Sequence, residues 1–210
     1  MHFFVAEIVR MRTVGIMSDL NDAHAALLQL LHRKSVRFGD FTLASGAKSD
    51  FYVDCRVTTM DAIGARLIGE LGWDLIQKAA AQQGVTVEAV GGLTMGADPV
   101  ALAVAVASGR EGAGGPLHAF AVRKTAKAHG LGRRIEGNFA AGQTVVVVDD
   151  VITTGGSTLQ AIEAVEAEGG TVAFVMALVD REEGGRAAIE ARGVPVYALA
   201  TKSQLRALEA

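Results

Sequence analysis

Apolar runs alternate with helical segments through the central part of the chain. The clearest run is residues 145–148, four valines that end at two acids and a glycine-rich turn. A β-branched run this short predicts a strand buried on both faces of a sheet. Further strands are predicted over residues 87–91, 118–122, 171–179 and 194–199, and helices over 61–82, 98–108, 158–168 and 182–192 and after Ser203. Because strands and helices alternate, we predict an α/β fold with a central parallel sheet flanked by helices.

The chain before the sheet has a different pattern. Residues 36–56 alternate short extended runs with turn signals, which predicts a β-hairpin, or hood, outside the parallel sheet. A helix is predicted over residues 18–32, with Ser18 as its cap. We expect a single domain over residues 18–210 and regard residues 1–17 as an N-terminal extension, and our hypothesis is that translation starts at Met17.

Composition and charge add three expectations. The 210 residues carry a formal net charge of −3, which argues against general nucleic-acid binding. No apolar run reaches the roughly 20 residues that a membrane-spanning helix needs, so we expect no membrane partner. Cys55 is the single cysteine, which excludes an intrachain disulfide and fits a reducing compartment. We therefore predict a cytoplasmic location.

The candidate chemistry is concentrated after the valine run. Asp149 and Asp150 are followed by residues 153–157, Thr-Thr-Gly-Gly-Ser, and then by the predicted helix. Glycines let several backbone amides point into one concavity, and a helix start adds unpaired N–H donors, so this loop suits a phosphate. The acids suit neighbouring sugar hydroxyls or a divalent cation. The stretch therefore indicates a phosphorylated sugar, with Mg²⁺ as the expected cation.

An ordinary strand-to-helix turn is the alternative interpretation of this stretch. Two adjacent acids at the end of an apolar strand are unfavourable without ligands, which argues against that interpretation. The loop is not a Walker loop, because no Gly-Lys-Ser/Thr follows it, and it is not a Rossmann fingerprint, which needs G-x-G-x-x-G.

Three other stretches carry candidate chemistry. Residues 92–97 are a second glycine-rich loop, and Asp98-Pro99 is expected to start the next helix as a capping acid and a first-turn proline. Residues 123–134 contain five fixed cations and His129, so this segment is either a solvated basic loop or a mobile lid over a polyanion. Its position just ahead of the valine strand favours the lid. Arg181 follows a predicted strand, as an anion-binding residue or as a surface arginine.

The stretch VVVVDDVITTGGS, residues 145–157, resembles the signature of type I phosphoribosyltransferases, which bind 5-phosphoribosyl 1-pyrophosphate (PRPP). Four further stretches are similar to the orotate phosphoribosyltransferase family, namely FGDFTLASGAKSDFYVD, GGLTMGADPVA, RKTAKAHG and LVDREEGG. The resemblance covers the chain from about residue 18. It implies the type I fold, a central parallel sheet flanked by helices with a small N-terminal β hood.

The resemblance also implies a role for each matching residue. The acids would bind the ribose hydroxyls, residues 153–157 the 5′-phosphate, and residues 123–134, as a catalytic loop, the pyrophosphate. The expected catalytic residues are Lys127, His129, Asp149 and Asp150. The expected PRPP-binding residues are Arg123, Lys124, Lys127, His129, Asp149, Asp150, Val151, Ile152, Thr153, Thr154, Gly155, Gly156 and Ser157. The expected orotate-binding residues are Thr153, Arg181, Phe51 and Tyr52.

Reaction, cofactor and assembly follow from the same resemblance. Orotate and PRPP would give orotidine 5′-monophosphate and pyrophosphate in de novo pyrimidine (UMP) biosynthesis. Mg²⁺ would be held mainly through PRPP, and Asp149 is the candidate for a direct metal contact. The family forms homodimers in which the catalytic loop reaches the partner's site, so we expect shared active sites.

Two positions depart from the family pattern, because some members have lysine where this chain has Ala44 and Gly96. Two alternative functions stay open: a phosphoribosyltransferase for uracil, xanthine or adenine, and a non-catalytic regulator that senses PRPP on the same fold. The RKxxKxHG pattern and Arg181, which suits a carboxylate by bidentate pairing, favour orotate. A regulator is expected to show a basic surface or a helix-turn-helix, and the sequence indicates neither.

Overall fold

The computed structural model describes residues 20–42, 48–110, 115–125 and 134–209. The predicted N-terminal extension, the cap Ser18, and the loop residues Lys127 and His129 lie outside these ranges.

The elements follow one another as the alternating pattern predicts. In chain order they are α1 (20–34), β1 (Val36–Thr42), β2 (Lys48–Val53), α2 (Arg56–Thr59), α3 (Ala62–Gln83), β3 (Ala89–Leu93), α4 (Ala97–Ser108), β4 (His118–Val122), β5 (Ile135–Gly137), β6 (Thr144–Ile152), α5 (Gly156–Ala167), β7 (Thr171–Asp180), α6 (Gly185–Glu190), β8 (Val196–Thr201) and α7 (Lys202–Arg206). Within the described ranges, no helix combines the length and apolar character needed to cross a membrane.

The central sheet has the strand order β5-β4-β3-β6-β7-β8. Neighbouring strands are parallel except β4 and β5, which pair antiparallel. The predicted parallel sheet is therefore confirmed, with an antiparallel edge strand that the sequence analysis missed. Three residues with one apolar side chain carry no periodicity, so nothing in the sequence marked β5. β1 and β2 form a separate antiparallel pair, which confirms the hood.

The valines of β6 explain how two cores form around one sheet. Val146 and Val148 pack in a cluster with residues of α3 and α4, whereas Val145 and Val147 pack in a second cluster with residues of α5 and α6. Successive side chains of a strand point to opposite faces, so a strand covered on both sides needs an unbroken apolar run. The prediction of a strand buried on both faces is confirmed.

Glycines allow the backbones to approach closely in this layered packing. A Cβ placed on Gly92 in β3 would lie 2.0 Å from the Val148 carbonyl oxygen in β6. A Cβ on Gly69 in α3 would lie 2.5 Å from the Ala103 carbonyl oxygen in α4. Both contacts are with backbone atoms, which cannot swing aside as a side chain can.

The starts of two helices differ from the prediction. α4 begins at Ala97 with Gly96 as its N-cap, so the predicted roles of Asp98 as the cap and Pro99 as the first helical residue are wrong. The Asp98 carboxylate instead accepts a hydrogen bond from Thr94 Oγ1 at 2.7 Å. α6 covers less than the predicted helix over 182–192, because the Asp180 carboxylate accepts from the Glu182 N–H and holds the chain in a turn.

Candidate active site

The candidate site lies where the sheet changes its winding direction. From β3 the chain passes to β4 on one side, and β6 then returns to pair with β3 on the other side. In open α/β sheets such a switch leaves a crevice at the carboxyl ends of the two strands, and ligands bind there. The two predicted glycine-rich loops both follow strands that border this crevice.

The acid pair is part of β6, which continues through it to Ile152. Asp149 is 6% exposed, and its carboxylate accepts a hydrogen bond from Thr158 Oγ1 at 2.7 Å. Burial raises the pKa of Asp149 to about 7, and the neighbouring Asp150 carboxylate adds to this rise. Burial also raises the pKa of Asp150. Two desolvated carboxylates side by side are a poor arrangement for stability and a suitable one for holding ligand hydroxyls.

The loop after the acids leads directly into a helix N-terminus. Gly155 is the N-cap of α5 with a φ of 82°, and within the described part of the chain no side chain caps this helix. Its first N–H groups are therefore free of a side-chain acceptor, while Thr154, Gly156 and Ser157 are exposed. Thr158 does not share this role, because its buried hydroxyl donates to the Asp149 carboxylate.

The start of α6 packs against this loop and holds it by a backbone hydrogen bond. The Gly185 N–H donates to the Thr153 carbonyl oxygen at 2.9 Å. A Cβ on Gly185 would lie 2.6 Å from that oxygen and 2.7 Å from the Gly155 nitrogen. A glycine at 185 is therefore required for the loop to keep its place.

The second glycine-rich loop touches the acid pair. A Cβ placed on Gly96 would lie 2.2 Å from Asp150 Oδ1. The Asp150 carboxylate thus occupies the position that any side chain at residue 96 would need. The lysine that some family members have there does not fit beside Asp150 as it stands.

Arg181 is held between the end of β7 and the hood. Its N–H donates to the Ile152 carbonyl oxygen at 2.9 Å, which places it beside the end of β6. Its side chain is almost fully buried, so the alternative of a surface arginine is wrong. Nη2 donates to Glu183 Oε1 at 2.8 Å and lies 3.3 Å from both Ser49 Oγ and the Phe51 carbonyl oxygen. Among the described residues, the buried Nε has no hydrogen-bond partner.

The two hood residues predicted to bind orotate differ in exposure. Phe51 is fully buried, and the Arg181 guanidinium carbon lies 5.7 Å from its ring centroid. The Phe51 ring therefore packs against the Arg181 guanidinium, and the Phe51 carbonyl oxygen accepts a hydrogen bond from Nη2. Tyr52 is 42% exposed, and its ring centroid lies 5.6 Å from that of Phe41.

The predicted catalytic loop is the connection between β4 and β5, the two strands of an antiparallel hairpin at the sheet edge. The Arg123 N–H donates to the Arg134 carbonyl oxygen at 2.8 Å and closes the base of this connection. The Glu168 carboxylate accepts from the Arg134 N–H at 2.8 Å. Lys124 is exposed at the same base. The loop therefore begins at the carboxyl end of β4, and this end of β4 lies next to the crevice.

The donor set determines how a metal ion could be held. Among the described residues, no group of three or more His, Cys, Asp or Glu side chains is arranged to bind a metal ion. Asp149 and Asp150 are two carboxylates beside the loop that suits a phosphate. Mg²⁺ is typically bound by one or two carboxylates together with substrate phosphates and water, so these residues fit an ion that arrives with its substrate.

Three residues at the site were missed by the sequence analysis. Glu183 and Lys202 form an ion pair, Nζ to Oε1, at 3.2 Å beside Arg181, and Glu168 anchors the base of the hairpin loop. Glu183 could have been found, because it lies in the LVDREEGG stretch two residues after Arg181. Lys202 and Glu168 carry no sequence signal, since each is a charged residue at a helix end.

An acid pair followed by an amide-rich loop, at the switch point of a mostly parallel sheet with a hood, defines a type I phosphoribosyltransferase. The family model described as the phosphoribosyl transferase domain matches residues 100–190. The orotate phosphoribosyltransferase of Streptomyces avermitilis is 46% identical over 190 residues, which cover 89% of this chain and 98% of the relative. That of Rhodopirellula baltica is 43% identical over 177 residues, covering 84% and 91%.

A solved structure gives the same result. The Mycobacterium tuberculosis orotate phosphoribosyltransferase in complex with PRPP superposes with a TM-score of 0.69 at 38% identity, over 88% of this chain and 92% of that one. The chain belongs to the orotate phosphoribosyltransferase family.

Proposed function

We propose that this chain transfers the 5-phosphoribosyl group from PRPP to orotate, giving orotidine 5′-monophosphate and pyrophosphate in pyrimidine nucleotide biosynthesis. The observation that carries the proposal is a buried arginine, with a donor that no described residue pairs, near an acid pair and an amide-rich loop. A phosphorylated sugar and a carboxylate-bearing base need these groups close together. The M. tuberculosis relative is described in complex with PRPP, which supports the first substrate.

Three sets of protein groups would bind the three parts of PRPP. The exposed residues Thr154, Gly156 and Ser157, with the N-terminus of α5, suit the 5′-phosphate. Asp149 and Asp150 suit the ribose hydroxyls as acceptors. Arg123 and Lys124 at the base of the hairpin loop suit the pyrophosphate, as do Lys127 and His129, which lie outside the described residues.

The chemistry is displacement at the anomeric carbon of the ribose. The orotate nitrogen forms the new bond as the bond to the pyrophosphate oxygen breaks, and the sugar gains positive charge between the two events. The acid pair can stabilise that charge, and the cations of the loop can stabilise the negative charge that grows on pyrophosphate. When bound with PRPP, Mg²⁺ supplies further stabilisation of the leaving pyrophosphate.

Arg181 would decide the choice of base. A carboxylate pairs with a guanidinium through two parallel hydrogen bonds, and uracil lacks the carboxylate that orotate carries. Uracil would supply no carboxylate to the buried Nε of Arg181, which has no hydrogen-bond partner among the described residues, and this disfavours uracil. No observation favours xanthine, adenine or a purely regulatory role over orotate.

The homodimer is a further part of the proposal. Met60, Leu102 and Val106 are 57–72% exposed and line one groove of about 420 Å³ between α2 and α4. Clustered exposed apolar side chains of this size indicate a protein contact, and a second copy would bury them symmetrically. The loop between β4 and β5 would then complete the partner's site. A cytoplasmic location stays a prediction.

Turnover against a panel of bases tests the function. Purified protein with PRPP and Mg²⁺ is expected to consume orotate and to use uracil, xanthine and adenine at least roughly 10²-fold less well, because a buried donor left unpaired discriminates strongly. Arg181→Lys keeps the charge and loses the two-fold pairing, so KM for orotate should rise roughly tenfold or more while KM for PRPP holds. Product analysis by chromatography gives both results.

The matched control is Arg192→Lys, an arginine whose partners are Glu163 and Glu166 on the surface of α5. It should leave all kinetic constants unchanged. Equal use of orotate and uracil by the wild type would contradict the assignment of the base.

A further inference from the structure

The guanidinium of Arg181 already forms an ion pair with a carboxylate of its own chain, that of Glu183. Glu183 Oε1 lies 2.8 Å from Nη2, and the Arg181 side chain is 7% exposed against 27% for Glu183. Removing the negative partner of a buried arginine leaves an uncompensated charge, which is strongly unfavourable. Glu183 therefore satisfies Arg181 when no substrate is bound.

This ion pair is placed where it competes with a substrate carboxylate. A guanidinium binds a carboxylate with two hydrogen bonds either through Nη1 and Nη2 or through Nε and Nη2, so both arrangements need Nη2. Ser49 Oγ and the Phe51 carbonyl oxygen lie near Nη2 as well, each at 3.3 Å, whereas the buried Nε has no partner among the described residues. Nη2 has two N–H groups, and three acceptors already share them, of which Glu183 Oε1 is the nearest and carries a negative charge. Glu183 is therefore the acceptor that a second carboxylate would displace from Nη2.

A second cation, Lys202, already shares the Glu183 carboxylate with Arg181. Lys202 Nζ lies 3.2 Å from Glu183 Oε1 and 5.6 Å from the Phe51 ring centroid. Glu183 and Lys202 both line a cavity of about 710 Å³ under the hood, together with Ser49. Glu183 can release Arg181 and keep Lys202 by a side-chain rotation, without moving out of this cavity.

We propose that Glu183 is a placeholder for the substrate carboxylate: it pairs with both Arg181 and Lys202 in the free protein and keeps only Lys202 when orotate binds. The inference rests on the proposed function, because it assigns Arg181 to the orotate carboxylate. It makes Glu183 and Lys202 positioning residues that set the affinity for the base. An anion gains access to Arg181 only if it outcompetes Glu183, which excludes weakly binding anions from the site.

Steady-state kinetics of Glu183→Gln and Lys202→Met test the exchange. Glu183→Gln removes the competing charge and should lower KM for orotate roughly threefold or more, with kcat and KM for PRPP unchanged. Lys202→Met keeps the stem over Phe51 and removes the receiving charge, so KM for orotate should rise by a similar factor. In the double variant, KM for orotate should equal that of Glu183→Gln, because Glu183 is the link between Lys202 and Arg181, whereas the other carboxylate near Lys202, that of Asp50, is 63% exposed at 4.0 Å.

The matched control is Glu182→Gln, which removes a carboxylate next in the chain that accepts from Ser203 instead of Arg181. Its KM for orotate should equal that of the wild type; a drop as large as that of Glu183→Gln would show a general charge effect and overturn the proposal. A rise in KM for Glu183→Gln, or additive effects in the double variant, would also overturn it. Calorimetric titration with orotidine 5′-monophosphate should show the same order of affinities as KM.

The two proposals can fail separately. Absence of orotate turnover by the wild type removes the proposed function, and the exchange with it. Normal turnover with unchanged KM in all three variants removes only the exchange. Thermal unfolding checks folding, and Lys202→Met carries the test alone if Glu183→Gln does not fold.

Discussion

At the scale of the residue, Asp149 shows how a binding group is kept at the expense of stability. Its carboxylate is buried beside Asp150 with one hydrogen bond from Thr158. The pKa of Asp149 is raised from an ordinary 3.8 to about 7, mainly by burial. The folded protein therefore binds more protons than the unfolded chain between these two pH values. Stability from this group is full below pH about 4 and is lost as pH rises to about 7.

The substitution Asp149→Asn removes the negative charge at residue 149 but keeps the hydrogen bond, because an amide oxygen can still accept from Thr158 Oγ1. At pH about 8 the variant is expected to melt a few degrees above the wild type, since the charge of the more deeply buried of the two carboxylates is removed. As the pH falls toward about 5, the wild type becomes protonated and the difference should shrink. Differential scanning calorimetry of the ligand-free protein across this range measures both values.

Asp22→Asn on α1 is the control, because it removes an exposed carboxylate. Its melting temperature should follow that of the wild type at every pH. A difference between Asp149→Asn and the wild type that stays constant with pH would contradict the raised pKa.

At the scale of the element, the turn between β3 and α4 and the end of β6 shape each other. Asp150 in β6 lies against Gly96, where a Cβ would meet its carboxylate at 2.2 Å. The atom that would have to move is the end of a side chain and not the backbone. A residue larger than glycine is therefore compatible with the fold and incompatible with the present position of the acid.

Gly96→Ala is expected to fold normally and to bind PRPP less well. We expect KM for PRPP to rise roughly tenfold, the effect of losing one charged hydrogen-bond acceptor, and the melting temperature to change by about 2 °C or less. Initial-rate kinetics and thermal unfolding give the two values.

Gly109→Ala is the matched control at the other end of α4, where a Cβ would lie 3.7 Å from its nearest neighbours. It should leave KM for PRPP unchanged. If Gly96→Ala binds PRPP as tightly as the wild type, Asp150 does not hold the ribose from its present position.

At the scale of the whole molecule, the apolar groove between α2 and α4 is the surface on which the proposed homodimer depends. Leu102 is 57% and Val106 is 72% exposed, one turn apart on the outer side of α4. Charges at these positions would be buried without partners in a dimer and hydrated in a monomer. The same change should therefore affect both assembly and activity.

The double variant Leu102→Glu/Val106→Glu is expected to be monomeric and to lose at least roughly 90% of its activity, because a preorganised loop from the partner would be missing. Sedimentation equilibrium gives the mass, and orotate turnover gives the activity.

Leu208→Glu is the control, a charge placed at an exposed leucine near the end of the chain. It should leave the dimer intact. A double variant that stays dimeric would assign the interface to another face, and a fully active monomer would contradict shared sites.

The sequence by itself predicted the architecture and the location of the chemistry. The four valines, the acid pair and the glycine-rich loop are consecutive, so their order alone predicts a buried strand, its end and a helix start. The hood followed from turn signals, and Arg181 from its place after a predicted strand. Each of these features is local, because strand period, turn chemistry and helix starts depend on neighbouring residues.

The tertiary structure decided which of these groups meet and in what state. β5 exists because β4 offers it an edge, and Thr158 turns inward because a buried acid needs a donor. Lys202, after β8, meets Glu183, the partner of Arg181, and Asp150 at the end of β6 meets Gly96 after β3. Contacts between distant segments depend on how the layers pack, and burial, with the charge of Asp150 beside it, raises the pKa of Asp149. No local pattern carries that information, because desolvation and pairing arise only when the chain is folded.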